Sequence, residues 1–292
     1  MSRFDRQESF FGKAGQEKLR HASVAIVGVG GLGTHVAQQL ALLGIGKLAL
    51  IDHEELSETN RNRYVSARHD DPIPGSPKVL LGERMVKAFN PDVIVETVPY
   101  ELCSPQAFEA VNASDFVMGC LDSAGPRLVL TELCAAYSRP YFDLATEIHP
   151  GEPLVYGGHV CFSNGEGCLV CLEELDVAEA QRDLATPEAQ AERRRIYGVE
   201  HQDLAESGPS VVSLNGVVAS LGVTELLLEL VGIRKARAFL RYRADLATVT
   251  ARRDPPRPGC YYCGVVRGQR AGAGVERYLR SGSRAERDWP AT

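Results

Sequence analysis

The sequence predicts an α/β fold: a mostly parallel, Rossmann-like sheet flanked by helices and extended by antiparallel strands. Three observations carry this. The compact apolar run Val24-Ala25-Ile26-Val27 ends in the glycine loop Gly28-Val29-Gly30-Gly31-Leu32-Gly33. Short apolar runs then alternate with stretches of helical periodicity as far as Leu144, the pattern of a parallel sheet with helices on both faces. Beyond Pro150 the texture changes to candidate antiparallel strands. The 292 residues are 44% hydrophobic and 24% charged, which excludes a disordered, collagen-like or disulfide-framework chain.

Taken in order, residues 3–21 are polar with scattered apolar positions (Phe4, Phe10, Phe11, Leu19) and predict a leading helix. After the first strand and the glycine loop, Val36, Leu40, Leu43 and Ile45 recur at helical spacing, and Leu48-Ala49-Leu50-Ile51 reads as a second strand stopped by Asp52. Strand, glycine turn, helix and strand make a βαβ unit. Lys78 opens a predicted helix. Further strands are expected at 93–95, 116–118 and 141–144, with helices at 105–111 and 127–137 between them. The antiparallel candidates are 154–162, 238–243 and 247–252. No Pro/Ser linker separates them from the rest, so residues 1–263 read as one domain with a nucleotide-binding half over 22–150 and a second half over 151–263. Residues 176–207, centred on Glu192-Arg193-Arg194-Arg195, read as a mobile loop, and the arginine-rich 264–292 as a disordered tail.

The apolar stretch 211–232 carries Asn215, Glu225 and Glu229, so a buried helix fits better than a membrane span. The amino terminus lacks the apolar stretch of a secretory signal, which makes a cytoplasmic location the expectation. A net charge of −6 argues against a generic grip on nucleic acid or anionic membrane. Neither is an expected partner.

Gly28, Gly30 and Gly33 satisfy the dinucleotide fingerprint: a tight turn, close approach of backbone to phosphate, and close helix–strand packing. The helix that follows offers unpaired N–H groups to an anion. Asp52 stands where a carboxylate accepts ribose hydroxyls. Beyond it, Ser57-Glu58-Thr59-Asn60-Arg61-Asn62-Arg63 and then Lys78 gather cations and amides. A dehydrogenase has no need of so many cations there, whereas a triphosphate does; solvated surface charge is the plain alternative. Asp122 follows the strand at 116–118, at the edge where α/β sheets place ligands. It can hold Mg²⁺ or serve as a helix N-cap, and both readings fit.

With these motifs in order, the chain resembles the ThiF/MoeB/HesA adenylyltransferases, relatives of the adenylation domains of ubiquitin-activating enzymes, from about Arg3 to Cys263. Arg3-Phe4-Asp5-Arg6-Gln7 resembles the family's leading Arg-Gln motif, which implies that Arg6 reaches across a homodimer to the partner's ATP phosphates. The resemblance implies that Gly28, Gly30, Gly31 and Gly33 hold ATP and that Asp52 binds its ribose. It implies a polyphosphate role for Asn60, Arg63 and Lys78, and a Mg²⁺ and adenylation role for Asp122. It also implies the reaction: a carboxylate attacks the α-phosphorus of ATP, giving an acyl-adenylate and pyrophosphate. The implied substrate is the carboxyl-terminal glycine of a small ubiquitin-like or sulfur-carrier protein.

Cys168-Leu169-Val170-Cys171 and Cys260-Tyr261-Tyr262-Cys263 are two C-x-x-C knuckles. Four thiolates so arranged suit structural, tetrahedral Zn²⁺; unligated cysteines or a disulfide are the alternatives. Cys103, Cys120, Cys134 and Cys161 read as buried small hydrophobes. Residues 172–259 hold no cysteine, so no enzyme thioester or persulfide is expected in the region where such relatives carry one. Three rivals remain: adenylation of a peptide or metabolite carboxylate, hydride transfer with NAD, and a non-catalytic partner in an activating system.

Overall fold

The computed structural model describes residues 2–149, 151–185, 208–252 and 256–280. A single eight-stranded sheet runs in the order β3-β2-β1-β4-β5-β6-β7-β8. Strands β1 (Ser23–Val27), β2 (Lys47–Ile51), β3 (Ile94–Val98), β4 (Phe116–Gly119) and β5 (Tyr141–His149) are parallel. Strands β6 (Val155–Ser163), β7 (Phe239–Arg243) and β8 (Thr248–Arg252) then add antiparallel. β5 runs five residues past the expected 141–144, because β6 pairs along its whole length from Tyr141 to His149.

Helices cover both faces. On one lie α1 (Asp5–His21), α2 (Gly31–Leu43), α3 (Lys78–Phe89) and α7 (Val212–Val231). Leu19, Val36, Leu40, Val86, Val218 and Leu226 from these helices bury against Val24, Ile26 and Leu48. On the other lie α4 (Pro105–Ala113), α5 (Ala124–Ala136) and α6 (Val177–Asp183), packed on Ala25, Val27 and Ala49. Strands buried on both sides read as continuous apolar runs, which is why β1 and β2 stood out in the sequence. α7 has a mean hydropathy of 1.6 and is long enough to cross a membrane, yet it presses Val218, Ala219, Val223 and Leu226 into this core.

Two expectations are corrected. The first part of the expected mobile loop forms α6, capped by Asp176, whose carboxylate accepts from the Ala178 and Glu179 N–H groups; residues 186–207 lie outside the described residues. The expected disordered tail is instead packed as far as Arg280, with Val275 fully buried and Glu132 of α5 accepting from Arg277 and Tyr278. Its arginines and glycines resembled solvated sequence because their partner is 145 residues away. Residues 281–292 lie outside the described residues.

Candidate active site

The carboxyl ends of β1 to β5 open into one cleft of about 1930 Å³, well above the ~300–1,000 Å³ of an ordinary small-molecule site. At its centre is the glycine loop. Gly28 has φ +88°, and a β-carbon there would stand 2.5 Å from the Cys120 carbonyl oxygen. At Gly33 a β-carbon would stand 2.0 Å from the Gly28 carbonyl oxygen. Neither position admits a side chain while the loop keeps this shape. α2 begins at Gly31 rather than after Gly33, with Gly30 as its N-cap, so the first turn of α2 is itself part of the loop and its N–H groups face the cleft.

Asp52 is buried at the end of β2 and braces the loop. One carboxylate oxygen accepts from the Val29 N–H at 2.8 Å and the other from the Glu54 N–H at 2.9 Å. Burial raises its pKa, with the Lys78 charge opposing. Asn60, Arg63 and Lys78 line the cleft on the side of α2 and α3. Asn60 closes a 3₁₀ turn, accepting from the Ser57 N–H at 3.2 Å. Arg63 donates to the Thr59 carbonyl at 2.5 Å. Lys78, at the start of α3, is buried and ion-paired with Glu54, whose carboxyl burial would raise and Lys78 holds below the usual range. Arg61 points elsewhere: it ties its own loop to Glu58 and to the carbonyls of Arg68 and Asp71.

Asp122 is exposed in the cleft just after β4. The N-cap of α5 is Ser123, so the capping alternative for Asp122 falls away.

Arg6 does not join this cleft. It is exposed on α1, and its neighbour Gln7 donates to the carbonyl of Leu43 at the carboxyl end of α2. The 13 residues of α2 span about 20 Å, which separates Arg6 from the glycine loop of its own chain.

Two residues that sequence reasoning missed as site residues, Asn215 and Arg127, line the cleft. Asn215, 1% exposed on α7, presses its Nδ2 within 2.7 Å of where a β-carbon of Gly31 would stand, and its Oδ1 accepts from Thr146 at 3.1 Å. An amide inside a 20-residue apolar helix was the available signal. Arg127, on α5, lines the cleft beside Thr146 and Glu147. It belongs to a buried charge cluster behind the cleft. Its Nε and Nη2 donate to Asp143 at 3.1 and 2.5 Å, and Tyr141 Oη donates to the same carboxylate at 2.7 Å. His159, 1% exposed, places Nε2 3.1 Å from Asp143 and Nδ1 2.7 Å from Glu147. Arg241 then bridges Glu147 and Glu174 at 2.7 and 2.5 Å.

Burial would raise Asp143 and Glu147, yet Arg127 and the His159 hydrogen bond hold Asp143 far below the usual carboxylate range, and His159 with Arg241 brings Glu147 to about 2. Burial would lower His159, but its bonds to the two carboxylates raise it. Arg127, His159 and Arg241 thus face the carboxylates of Asp143, Glu147 and Glu174, with Arg252 3.8 Å from Glu174 as well. Glu147, His159 and Glu174 are spaced closely enough to ligate a metal, but Arg241 already occupies the space between the two carboxylates.

The four knuckle cysteines converge. Sγ separations are 3.7 Å for Cys168–Cys171, 3.8 Å for Cys168–Cys260 and 3.7 Å for Cys171–Cys263. Four sulfurs at the Zn–S distance of ~2.3 Å around one ion stand about 3.8 Å apart. The donor set fits zinc. Cys134 and Cys161 are fully buried, while Cys103 and Cys120 border the cleft; burial pushes all four thiols up.

A glycine loop on a helix start, a buried carboxylate beside it, Arg63 and Lys78 in the same cleft and four thiols spaced for a metal are the features of a nucleotide-binding α/β class. The sequence matches the ThiF family over residues 4–263, and the chain belongs to that family; it is an adenylyltransferase. It is 30% identical over 254 residues to the sulfur carrier protein adenylyltransferase of Thermus thermophilus, covering 85% of this chain and 86% of that one. It is 28% identical to the molybdopterin-synthase adenylyltransferase of Escherichia coli, over 90% and 96% of the two chains. Among solved structures, the fold resembles E. coli MccB in complex with MccA-N7isoAsn, with a TM-score of 0.69 at 21% identity, over 90% of this chain and 75% of that one.

Proposed function

We propose that the enzyme adenylates the carboxyl-terminal carboxylate of a small ubiquitin-like or sulfur-carrier protein. The observation that carries this reading is the extent of the cleft. One continuous cleft of about 1930 Å³ is lined by Gly31, Arg63 and Lys78 and equally by Asp122, Thr146, Glu147, Ser210 and Asn215. A nucleotide and the end of another chain can meet there. The relatives named for sulfur carrier protein and for molybdopterin synthase support the same substrate class.

In this reading the α2 N–H groups at Gly30 and Gly31 hold phosphate oxygens, and Asp52 takes the ribose hydroxyls. Asn60, Arg63 and Lys78 bind the polyphosphate, Lys78 exchanging Glu54 for phosphate. A substrate carboxylate oxygen attacks the α-phosphorus, the bond from that phosphorus to the bridging oxygen breaks, and pyrophosphate leaves with the electron pair. The protein's work is positioning and charge stabilisation. Mg²⁺, for which exposed Asp122 is a suitable carboxylate, supplies charge neutralisation on the phosphates when bound. Arg6, a helix length from its own loop, serves the partner's site in a homodimer. Zinc at the four cysteines is structural: it ties the segment around Cys260 and Cys263 to the body. With no cysteine over 172–259 and the other four thiols held protonated by burial, the adenylate passes to an external nucleophile.

ATP–pyrophosphate exchange with Mg²⁺, in the presence of cytosol fractions separated by size, tests the reading. Exchange stimulated by a protease-sensitive macromolecular fraction supports it. Stimulation by a low-mass fraction alone replaces the carrier with a peptide or metabolite. No exchange with any fraction, from zinc-loaded protein that binds ATP, turns the reading toward a non-catalytic partner.

A further inference from the structure

The segment beyond the second knuckle has no part in the reading above, yet its described part reaches the cleft at Arg280. From Val266 it crosses α5 as a strap. The Gly268 N–H donates to the Ala135 carbonyl at 3.0 Å, and Val275 is fully buried. Arg277 Nη2 and Tyr278 Oη donate to the carboxylate of Glu132 at 2.5 and 2.7 Å. Glu132 is 1% exposed, and a carboxylate at that depth needs such donors to be tolerated. The strap is therefore fixed rather than draped.

Its last described residue is Arg280. The Arg280 N–H donates to the Cys103 carbonyl at 3.0 Å, pinning the strap to the connection between β3 and α4. The Arg280 side chain lines the cleft, and its Nη2 donates to the Leu184 carbonyl at the end of α6 at 3.3 Å. α6 is itself docked on the first turn of α5, where Asp183 accepts from the Gly125 N–H at 2.8 Å. Two separate segments thus meet over the same end of the cleft, joined by this guanidinium.

The fold says which end that is. Arg63 and Lys78 stand on the α2 and α3 face of the sheet, Asp52 at its carboxyl edge, and Cys103 and Leu184 on the α4 and α5 face. A nucleotide with its ribose at Asp52 and its phosphates at the glycine loop carries its base toward Tyr100, Cys103 and Arg280. We propose that Arg280 is a nucleotide-binding residue, its guanidinium lying over the face of the base and closing that end of the cleft, with the strap and α6 as supports. The inference rests on the ATP-binding reading given above. A guanidinium suits the task because it is planar, stacks on aromatic faces and has no acceptor to satisfy.

The test is nucleotide affinity, which needs no knowledge of the carboxylate substrate. Full-length, zinc-loaded wild type and Arg280→Ala are titrated with ATP, and inorganic tripolyphosphate is used as a competitor that has no base. Arg280→Ala is expected to weaken ATP about five-fold or more, to leave tripolyphosphate within two-fold of wild type, and to keep the wild-type melting temperature. Unchanged ATP affinity overturns the proposal. Parallel loss of ATP and tripolyphosphate also overturns it, because Arg280 then acts on phosphate charge or on the fold. Wild type that binds no ATP fails the underlying reading instead, a result distinct from the other two.

Discussion

Arg127→Met removes, among the described residues, the guanidinium that both lines the cleft and pairs with the buried carboxylate of Asp143. Asp143 is 1% exposed; without Arg127 it keeps only the Tyr141 hydroxyl and the His159 imidazole. Stripping one partner from a buried ion pair costs about 3–5 kcal/mol, which for a chain of this size lowers the melting temperature by roughly 6–20 °C. Urea unfolding of the zinc-loaded protein, followed by circular dichroism, measures the loss directly. The pH dependence carries a signature. A carboxylate held below its unfolded value of ~3.9 contributes stability that is present above that pH and lost as the pH falls through its folded value. The gap between wild type and Arg127→Met is therefore widest near neutrality and narrows below about pH 4. Adding Asp143→Leu removes the stranded charge and returns at least ~1 kcal/mol. A loss under about 1 kcal/mol, or a double variant no more stable than the single one, would refute the reasoning.

Other expectations follow from the same geometry. His159 has a raised pKa, so its contribution is complete below the unfolded value of ~6.5 and fades as the pH rises through the folded one; His159→Gln should flatten the fall in melting temperature between pH 6 and 9, and parallel slopes would contradict this. Gly33→Ala places a β-carbon 2.0 Å from a backbone oxygen, and the loop shift of about 1 Å should weaken ATP binding or turnover on the order of a hundred-fold in a chain that still folds. Cys260→Ser should lower bound zinc by mass spectrometry and speed proteolysis of the strap, since the knuckle is its root. For the trans role of Arg6, inactive Arg6→Ala mixed with inactive Asp122→Ala should regain activity through mixed dimers; no recovery would remove it.

Much of the fold was legible because its signals are local. β1 and β2 each carry a four-residue apolar run beside a glycine loop, and the two cysteine knuckles announce their spacing without help from the rest of the chain. The charge cluster was not legible because strand register assembles it. Ala145 pairs with His159, and His159 with Arg241, so Asp143 and Glu147 become the diagonal neighbours of His159 on one face. A slip of one residue would turn that face over. The alternation Asp143, Ala145, Glu147 is visible in the sequence, but its partners His159 and Arg241 lie 12 to 94 positions away. Asn215 and Arg127 were hidden for the same reason: helix packing across the cleft, rather than chain neighbourhood, brings them to the glycine loop and to Thr146. The strap was misread because charge and glycine dominate its composition, while its anchors, Glu132, Ala135 and Cys103, lie far back in the chain.

The central claim is transfer of the α-phosphoryl group of ATP to a carboxylate. Zinc-loaded enzyme is incubated with Mg²⁺, a macromolecular cytosol fraction and ATP labelled at either the α- or the γ-phosphorus, and the products are separated by size before and after hydroxylamine. The account expects the α label in a protein-sized product that hydroxylamine releases as AMP, and the γ label in pyrophosphate. Release of the γ label as orthophosphate with ADP, and no α label on any macromolecule, would contradict it.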